Sequence, residues 1–333
     1  MKAAVLEQLN SDLSIKDVEL TNLKRGQVLV KVLVSGICGS QLHEIKGNKG
    51  NGNFLPHLMG HEGCGIVEAL GEGVTTVKVG DKVVMHWRKG SGIEAEFPQY
   101  ILDDKTISSG KVTTLSEYSI VSENRLTTVP ANTPNNLAAM LGCSLTTAFG
   151  TIDNECDLNH TQIVTVIGCG GVGLNLIQAA KIKGAFVVAV DINPEKQQLA
   201  FDMGADSFFV QSELKSDVII DTTGSTKIIN NYFKLLSDGG KFILVGQPNP
   251  EESLTLDNAL SFFDGEGKTI KATQGGKSNP EYDILKYISL FQNTKLDYSK
   301  VITHEFELDE INEAFSLLKT GKAGRIMIKI NER

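Results

Sequence analysis

No apolar run in this chain approaches the ~20 residues that cross a bilayer; stretches such as Phe186 to Val190 are sized for buried strands. The first residues, Met1 to Glu7, lack the continuous apolar core of a secretory signal. Blocks of Lys and Arg interleaved with aromatics are missing, and the net charge of −8 works against nucleic acid or an anionic membrane as a partner. Disulfide-like spacing is absent too. The five cysteines, Cys38, Cys64, Cys143, Cys156 and Cys169, form an odd set suited to a reducing compartment. Together these absences set the expectation of a cytoplasmic protein with no nucleic-acid or membrane partner.

What is present divides in two, as expected when 333 residues exceed what one hydrophobic core serves. Residues 1 to about 144 read as short strands punctuated by glycine. Val28 to Val34 is apolar and β-branched, with Gly36 expected to close it; Gly65 to Ala69 and Lys82 to Met85 follow. From about residue 145 the period changes. Ile163 to Ile167 reads as a strand, and Val172, Leu176, Ala179 and Ala180 then recur at helical spacing. Phe186 to Val190, Val218 to Ile220 and Phe242 to Val245 are further strands. Helices are expected from Asn193-Pro194 to Gly204, from Ile228 to Leu236 and from Asp309 to Leu318, with Arg325 to Ile330 as a closing strand. Alternating strand and helix implies a parallel, doubly wound sheet covered on both faces, so the fold class is α/β with a β-rich module beside it.

Directly after Ile167 comes Gly168-Cys169-Gly170-Gly171-Val172-Gly173, a G-x-G-x-x-G pattern opening a helix. The first glycine makes a tight turn, the second lets the backbone approach a pyrophosphate, and the third permits close packing. The helix N-terminus offers unpaired N–H groups to phosphate. Asp191 ends the next strand about 20 residues on, where a carboxylate binds ribose hydroxyls and repels a 2′-phosphate, favouring NAD over NADP. Lys196 is placed to complete the ribose contacts. A glycine-rich turn that binds nothing, with Asp191 capping a helix, is the competing account.

Cys38, His61 and Cys143 lie in three separate segments, each beside a glycine. Taken singly, a cysteine packs as a small hydrophobe and a histidine bonds locally, so spacing alone leaves a metal site open. The segments Gly36-Ile37-Cys38-Gly39-Ser40-Gln41-Leu42-His43, Gly60-His61-Glu62-Gly63-Cys64-Gly65, Gly80-Asp81-Lys82-Val83 and Gly142-Cys143-Ser144 then resemble, in order, the signatures of the medium-chain zinc-dependent alcohol dehydrogenases. The similarity extends through the glycine loop to Gly324-Arg325 and so covers nearly the whole chain.

That resemblance implies a GroES-like catalytic domain over 1–144 and 274–333, and a Rossmann NAD-binding domain over 145–273. It implies one catalytic Zn2+ on Cys38, His61 and Cys143, with water or substrate oxygen in the fourth position and Glu62 as an alternative ligand. Ser40 and His43 match the family's proton relay, which runs through the nicotinamide ribose. Val172 and Thr147 match positions beside the nicotinamide, Arg325 a pyrophosphate contact, and Trp87 an aromatic of the alcohol pocket. A homodimer is implied through sheet edges around residues 251–262, with a tetramer as the alternative.

The chain also departs from the family. No cysteine lies between Cys64 and Cys143, so no structural zinc is expected, and residues 86–112 must form a lobe without metal. Gln41 stands where many relatives have an Asp that orients the histidine ligand, and Gly39 where some have a base. Ser109 and Gly110 replace bulky pocket residues, with Lys49 and Arg88 near the expected mouth; a polyol, sugar derivative or anionic alcohol is the implied substrate. The expectation is therefore hydride transfer between an alcohol and NAD. A zinc-free reductase of the same fold and a non-catalytic NAD-binding scaffold are the alternatives.

Overall fold

A computed structural model describes residues 1–294 and 296–331. The chain separates into two units, Met1–Thr146 with Asn279–Arg333, and Thr147–Ser278.

The first unit is organised by the strand Gln27–Ile37, in which Val28, Val30, Val32 and Val34 are all fully buried. Valine at every second position suits a pleated surface that covers a core, because β-branched side chains pack well there and lose little rotamer freedom. The strand pairs antiparallel with Glu62–Leu70, Tyr118–Ser122 and Arg325–Lys329. Glu62–Leu70 passes the sheet on to Lys82–His86, which pairs with Leu126–Thr128. Val67, Val83, Met85, Val121 and Leu126 complete this core, each buried side chain contributing about 1.5–3 kcal/mol. The expected break at Gly36 does not occur, because the strand continues to Ile37. Glycine is needed at 36 for space: a Cβ there would collide with the Glu62 carboxylate.

The lobe expected to lack metal carries two strands, Gln99–Leu102 and Lys105–Ser109, in a second sheet with Lys2–Leu6 and His57–Leu58. Carboxylates pin it. Glu123 accepts the backbone N–H groups of Thr75 (2.8 Å), Thr76 (3.1 Å) and Ile93 (2.7 Å). Glu94 pairs with Lys111 at 2.8 Å and Arg125 at 3.1 Å. Burial opposes the charge of Glu94, yet Lys111, Asn124 and Arg125 hold its carboxyl down at about 2.

In the second unit six parallel strands stand in the order Ser207–Phe209, Phe186–Val190, Ile163–Ile167, Ser216–Asp221, Leu236–Leu244, Thr269–Ala272. The chain winds outward from Ile163–Ile167 on one side and then, from Ser216–Asp221, on the other. The carboxyl ends of these two strands therefore form a topological switch point, where open α/β sheets bind ligands. Some expected boundaries move. The helix expected over Ile228 to Leu236 is Thr226–Phe233, because Leu236 already pairs with Ser216 and begins the next strand. The C-terminal helix is Ile311–Lys319, preceded by a 3-10 turn, and the closing strand is Arg325–Lys329. Of residues 251–262, 251–258 form a loop and the rest belong to the 3-10 turn Ala259–Phe263, whereas the edge strand that follows is Thr269–Ala272. No helix among the described residues is long and apolar enough to cross a membrane.

Candidate active site

The strand Gln27–Ile37 runs straight into the helix Gly39–Ile45, and Cys38 is the residue between them. Cys38 is the N-cap of this helix, in extended conformation (φ −137°, ψ 152°). Gln41 closes the cap: its Oε1 accepts the Cys38 N–H at 2.8 Å, and the side chain is fully buried. The amide expected to orient a histidine thus orients a cysteine instead.

Cys38 then meets Cys143 and His61. The hydrogen bond with Cys143 outweighs burial and, with His61 and Arg325 adding to it, holds the Cys38 thiol well below its ordinary range. The same contact and burial push Cys143 well up. Two thiols in contact share one proton readily. Metal ligation requires thiolate, so this acidity is the relevant property.

Beneath the thiols lies a buried ion pair. Glu62 is fully buried and Arg325 is 3% exposed; Arg325 Nη2 binds Glu62 Oε1, while Glu62 Oε2 accepts the Ser144 N–H at 3.0 Å. Burial works against the charge on Arg325, but Glu62, Cys38 and Cys143 more than restore it, so its pKa is raised. Glu62, expected as an alternative metal ligand, is held by Arg325 and Ser144, and Arg325, expected on a pyrophosphate, has its guanidinium buried against Glu62, since a charge removed from water needs its counter-charge alongside. The pair braces the segments that carry Cys38, His61 and Cys143.

Among the described residues no group of three or more His, Cys, Asp and Glu side chains is spaced to hold a metal ion outright. Two thiols and an imidazole are nonetheless the donor set of a catalytic zinc site with one open position. Three buried atoms around them have no partner: Ser40 Oγ, Gln41 Nε2 and Arg325 Nε. Leaving such groups unmet costs about 1–3 kcal/mol each. By donor chemistry and by these unmet atoms the residues fit zinc together with a polar ligand.

Ser40 and His43 are three residues apart on one short helix and so share a face. His43 is half-buried, and burial together with Lys46 and Lys49 lowers its pKa, so the ring is neutral at pH 7. Trp87 is also half-buried; its carbonyl accepts from Arg125, and the Arg88 guanidinium lies 5.6 Å from its ring centroid. Ser109, expected to widen the pocket, instead sits in a strand with Oγ donating to the carbonyls of Pro98 (3.3 Å) and Gly110 (2.9 Å).

The glycine loop Gly168–Gly173 lies in the second unit. Gly168 is left-handed (φ +92°), which only glycine adopts freely. A Cβ at Gly173 would collide with the Gly168 carbonyl oxygen, and a Cβ at Gly170 would meet nothing within 4 Å. The loop is therefore tight on its inner side and open on the outer, where backbone can approach phosphate. Gly170 caps the helix Gly171–Ile182, with Val172 half-buried in its first turn. Asp191 ties this loop to the next: Oδ2 accepts the Cys169 N–H at 2.7 Å and Oδ1 the Asn193 N–H at 2.8 Å. Each oxygen keeps a lone pair for a hydroxyl. Lys196 is 2% exposed, with burial lowering its pKa and Asp191 opposing that. Thr147 is buried, and its carbonyl accepts from Thr151 Oγ1 at 2.7 Å. Sequence reasoning missed the bracing role of Arg325 with Glu62 and the capping role of Gln41. Both depend on partners far along the chain or on the turn taken at Cys38.

Comparison with known proteins agrees with both units. The alcohol dehydrogenase GroES-like domain matches residues 24–131, and the zinc-binding dehydrogenase domain matches residues 171–292. Benzyl alcohol dehydrogenase from Acinetobacter calcoaceticus is 25% identical over 99% of each chain, with a TM-score of 0.89. 2R,3R-butanediol dehydrogenase from Bacillus subtilis is 25% identical over 98% of this chain and 99% of its own, with a TM-score of 0.78. An alcohol dehydrogenase from E. coli CFT073, complexed with NADH, is 23% identical over 99% of each chain, with a TM-score of 0.80.

Proposed function

Because the chain belongs to the medium-chain zinc-type alcohol dehydrogenase family, whose members are oxidoreductases, we propose that it oxidises a primary or secondary alcohol reversibly, with one zinc ion and NAD. The observation that carries the reading is the meeting of Cys38 with Cys143 and His61, beside the buried Glu62–Arg325 pair and unmet buried polar atoms. Cys38, His61 and Cys143 would hold the ion in the unit Met1–Thr146 with Asn279–Arg333, and the unit Thr147–Ser278 would hold the dinucleotide.

When bound, zinc supplies a Lewis acid that acidifies the alcohol hydroxyl, and NAD is the hydride acceptor. The chain's own residues do the rest. Ser40 offers its unpartnered hydroxyl as the first proton acceptor, and His43, neutral at pH 7, takes the proton onward towards solvent. The proton of the alcohol would leave through these side chains, and the bound dinucleotide would supply the hydride acceptor that oxidation to a carbonyl needs. Gln41 fixes the backbone at Cys38, and the Glu62–Arg325 pair keeps the ligand-bearing segments together. Gly168, Gly170, Gly171 and Gly173 shape the phosphate cradle, and Asp191 with Lys196 reads the ribose, which favours NAD over NADP.

The named alcohols of two similar enzymes, benzyl alcohol and butanediol, make aromatic and vicinal-diol alcohols the first substrates to try. We further assign a cytoplasmic location and a homodimer that uses the exposed Leu260 and Phe263 beside the edge strand Thr269–Ala272. Elemental analysis of the purified protein, followed by an alcohol and carbonyl panel read at the reduced-nicotinamide absorbance, tests the proposal. One zinc per chain with NAD-dependent turnover is expected. A metal-free protein that still reduces activated alkenes would overturn it.

A further inference from the structure

The turn after the helix Gly39–Ile45 folds back onto His43. Asn48 donates its backbone N–H to the His43 carbonyl oxygen at 2.9 Å, and its side-chain amide nitrogen lies 3.3 Å from His43 Nδ1. Gly47 (φ +77°) and Gly50 (φ +71°) are both left-handed, and they fix the turn that brings Asn48 back. The backbone contact sets where Asn48 sits, and the amide contact sets how the imidazole is rotated. Around the ring the acting charges are Lys46 and Lys49, which favour its neutral form, and Cys38, which opposes them.

Resting on the reading of His43 as the proton acceptor, we propose that Asn48 is a positioning residue that holds the His43 ring by Nδ1 and leaves Nε2 as the nitrogen that exchanges protons. An amide carries a donor and an acceptor on one end. Asn48 can therefore meet a bare Nδ1 with its N–H or, turned by half a rotation, meet a protonated Nδ1 with Oδ1. The ring keeps its partner in either protonation state and does not swing as it gains and loses a proton. In the turnover step Nδ1–H is held by Oδ1, and Nε2 accepts the proton released by the alcohol and passes it to solvent. The electron pair leaves the substrate with the hydride, so the imidazole changes only by that proton.

Two variants of the full-length protein test this. Asn48→Asp offers acceptors only, and its negative charge favours the imidazolium; Asn48→Leu offers neither group. The readouts are the His43 titration midpoint by imidazole NMR without substrate, and the pH profile of kcat/KM. In Asn48→Asp the midpoint rises by about one unit or more and the acidic limb of the profile moves with it. In Asn48→Leu, kcat falls about tenfold while KM for the dinucleotide stays within about twofold, a split that loss of structure alone does not produce. An unmoved midpoint and acidic limb in Asn48→Asp, or an undiminished kcat in Asn48→Leu, overturns the proposal. Should the unmutated protein turn over no alcohol, the proposed function fails instead, and the NMR midpoint still decides the part played by Asn48.

Discussion

The glycine loop and the thiol cluster are built by opposite routes. The loop is one continuous passage, Ile163 to Asp191, in which strand, turn, helix and strand follow in order and each residue's task is set by near neighbours. The cluster draws on residues 38, 61–62, 143–144 and 325, four segments joined through sheet pairing, hydrogen bonds and a buried ion pair. A local device tolerates distant change; an assembled one depends on every segment arriving.

The largest test of that contrast is Cys143→Ala. Removing one donor should abolish alcohol turnover and zinc retention while NAD affinity, measured by fluorescence titration, stays within about threefold, since the loop owes nothing to Cys143. Retained turnover would break the comparison at its root. Next comes Arg325→Met, which strands the Glu62 charge; denaturant unfolding should show a loss of about 3–5 kcal/mol, and metal affinity should fall with it. A loss under 1 kcal/mol would mean the pair does not brace the cluster.

Acid sharpens the difference further. His86, in the first unit, is fully buried, and burial lowers its pKa to about 4 despite backbone carbonyls that raise it. The unfolded chain then binds a proton from about pH 6.5 downward while the folded one does not, so stability falls as pH drops towards 4, by on the order of 3 kcal/mol. Asp221, in the second unit, has the opposite sign: burial raises its carboxyl, so acidification relieves it. Hydrogen exchange at pH 7 and pH 5 should therefore show protection lost first around Lys82–His86 and retained around Ser216–Asp221. The smallest effect is Asp191→Ala, expected to weaken NAD binding about 10–100-fold and to narrow the preference over NADP, since a charge that repels the 2′-phosphate is gone. Unchanged selectivity between the two dinucleotides would remove Asp191 from the ribose site.

Legibility in the sequence follows the same division. Strands such as Ile163–Ile167 and Phe186–Val190 stand where their apolar runs placed them, because fully buried parallel strands leave an unmistakable pattern. Leu236 was read as the end of a helix and is the start of a strand, since an apolar residue at a boundary satisfies either period until its pairing partner, Ser216, is known. Ser109 looked like a space-making residue in a pocket and is a strand residue bonded to Pro98 and Gly110.

From its residues alone this chain determined the two-part organisation and the strand–glycine loop–helix passage that ends at Asp191, because periodicity is a local property; the zinc ligand set came from the family resemblance. Only the tertiary structure decided that Arg325 would neutralise Glu62, that Gln41 would cap Cys38, and that Asn48 would rest on His43. Those choices depend on which charges and amides are carried out of water together, and burial is a property of the folded chain.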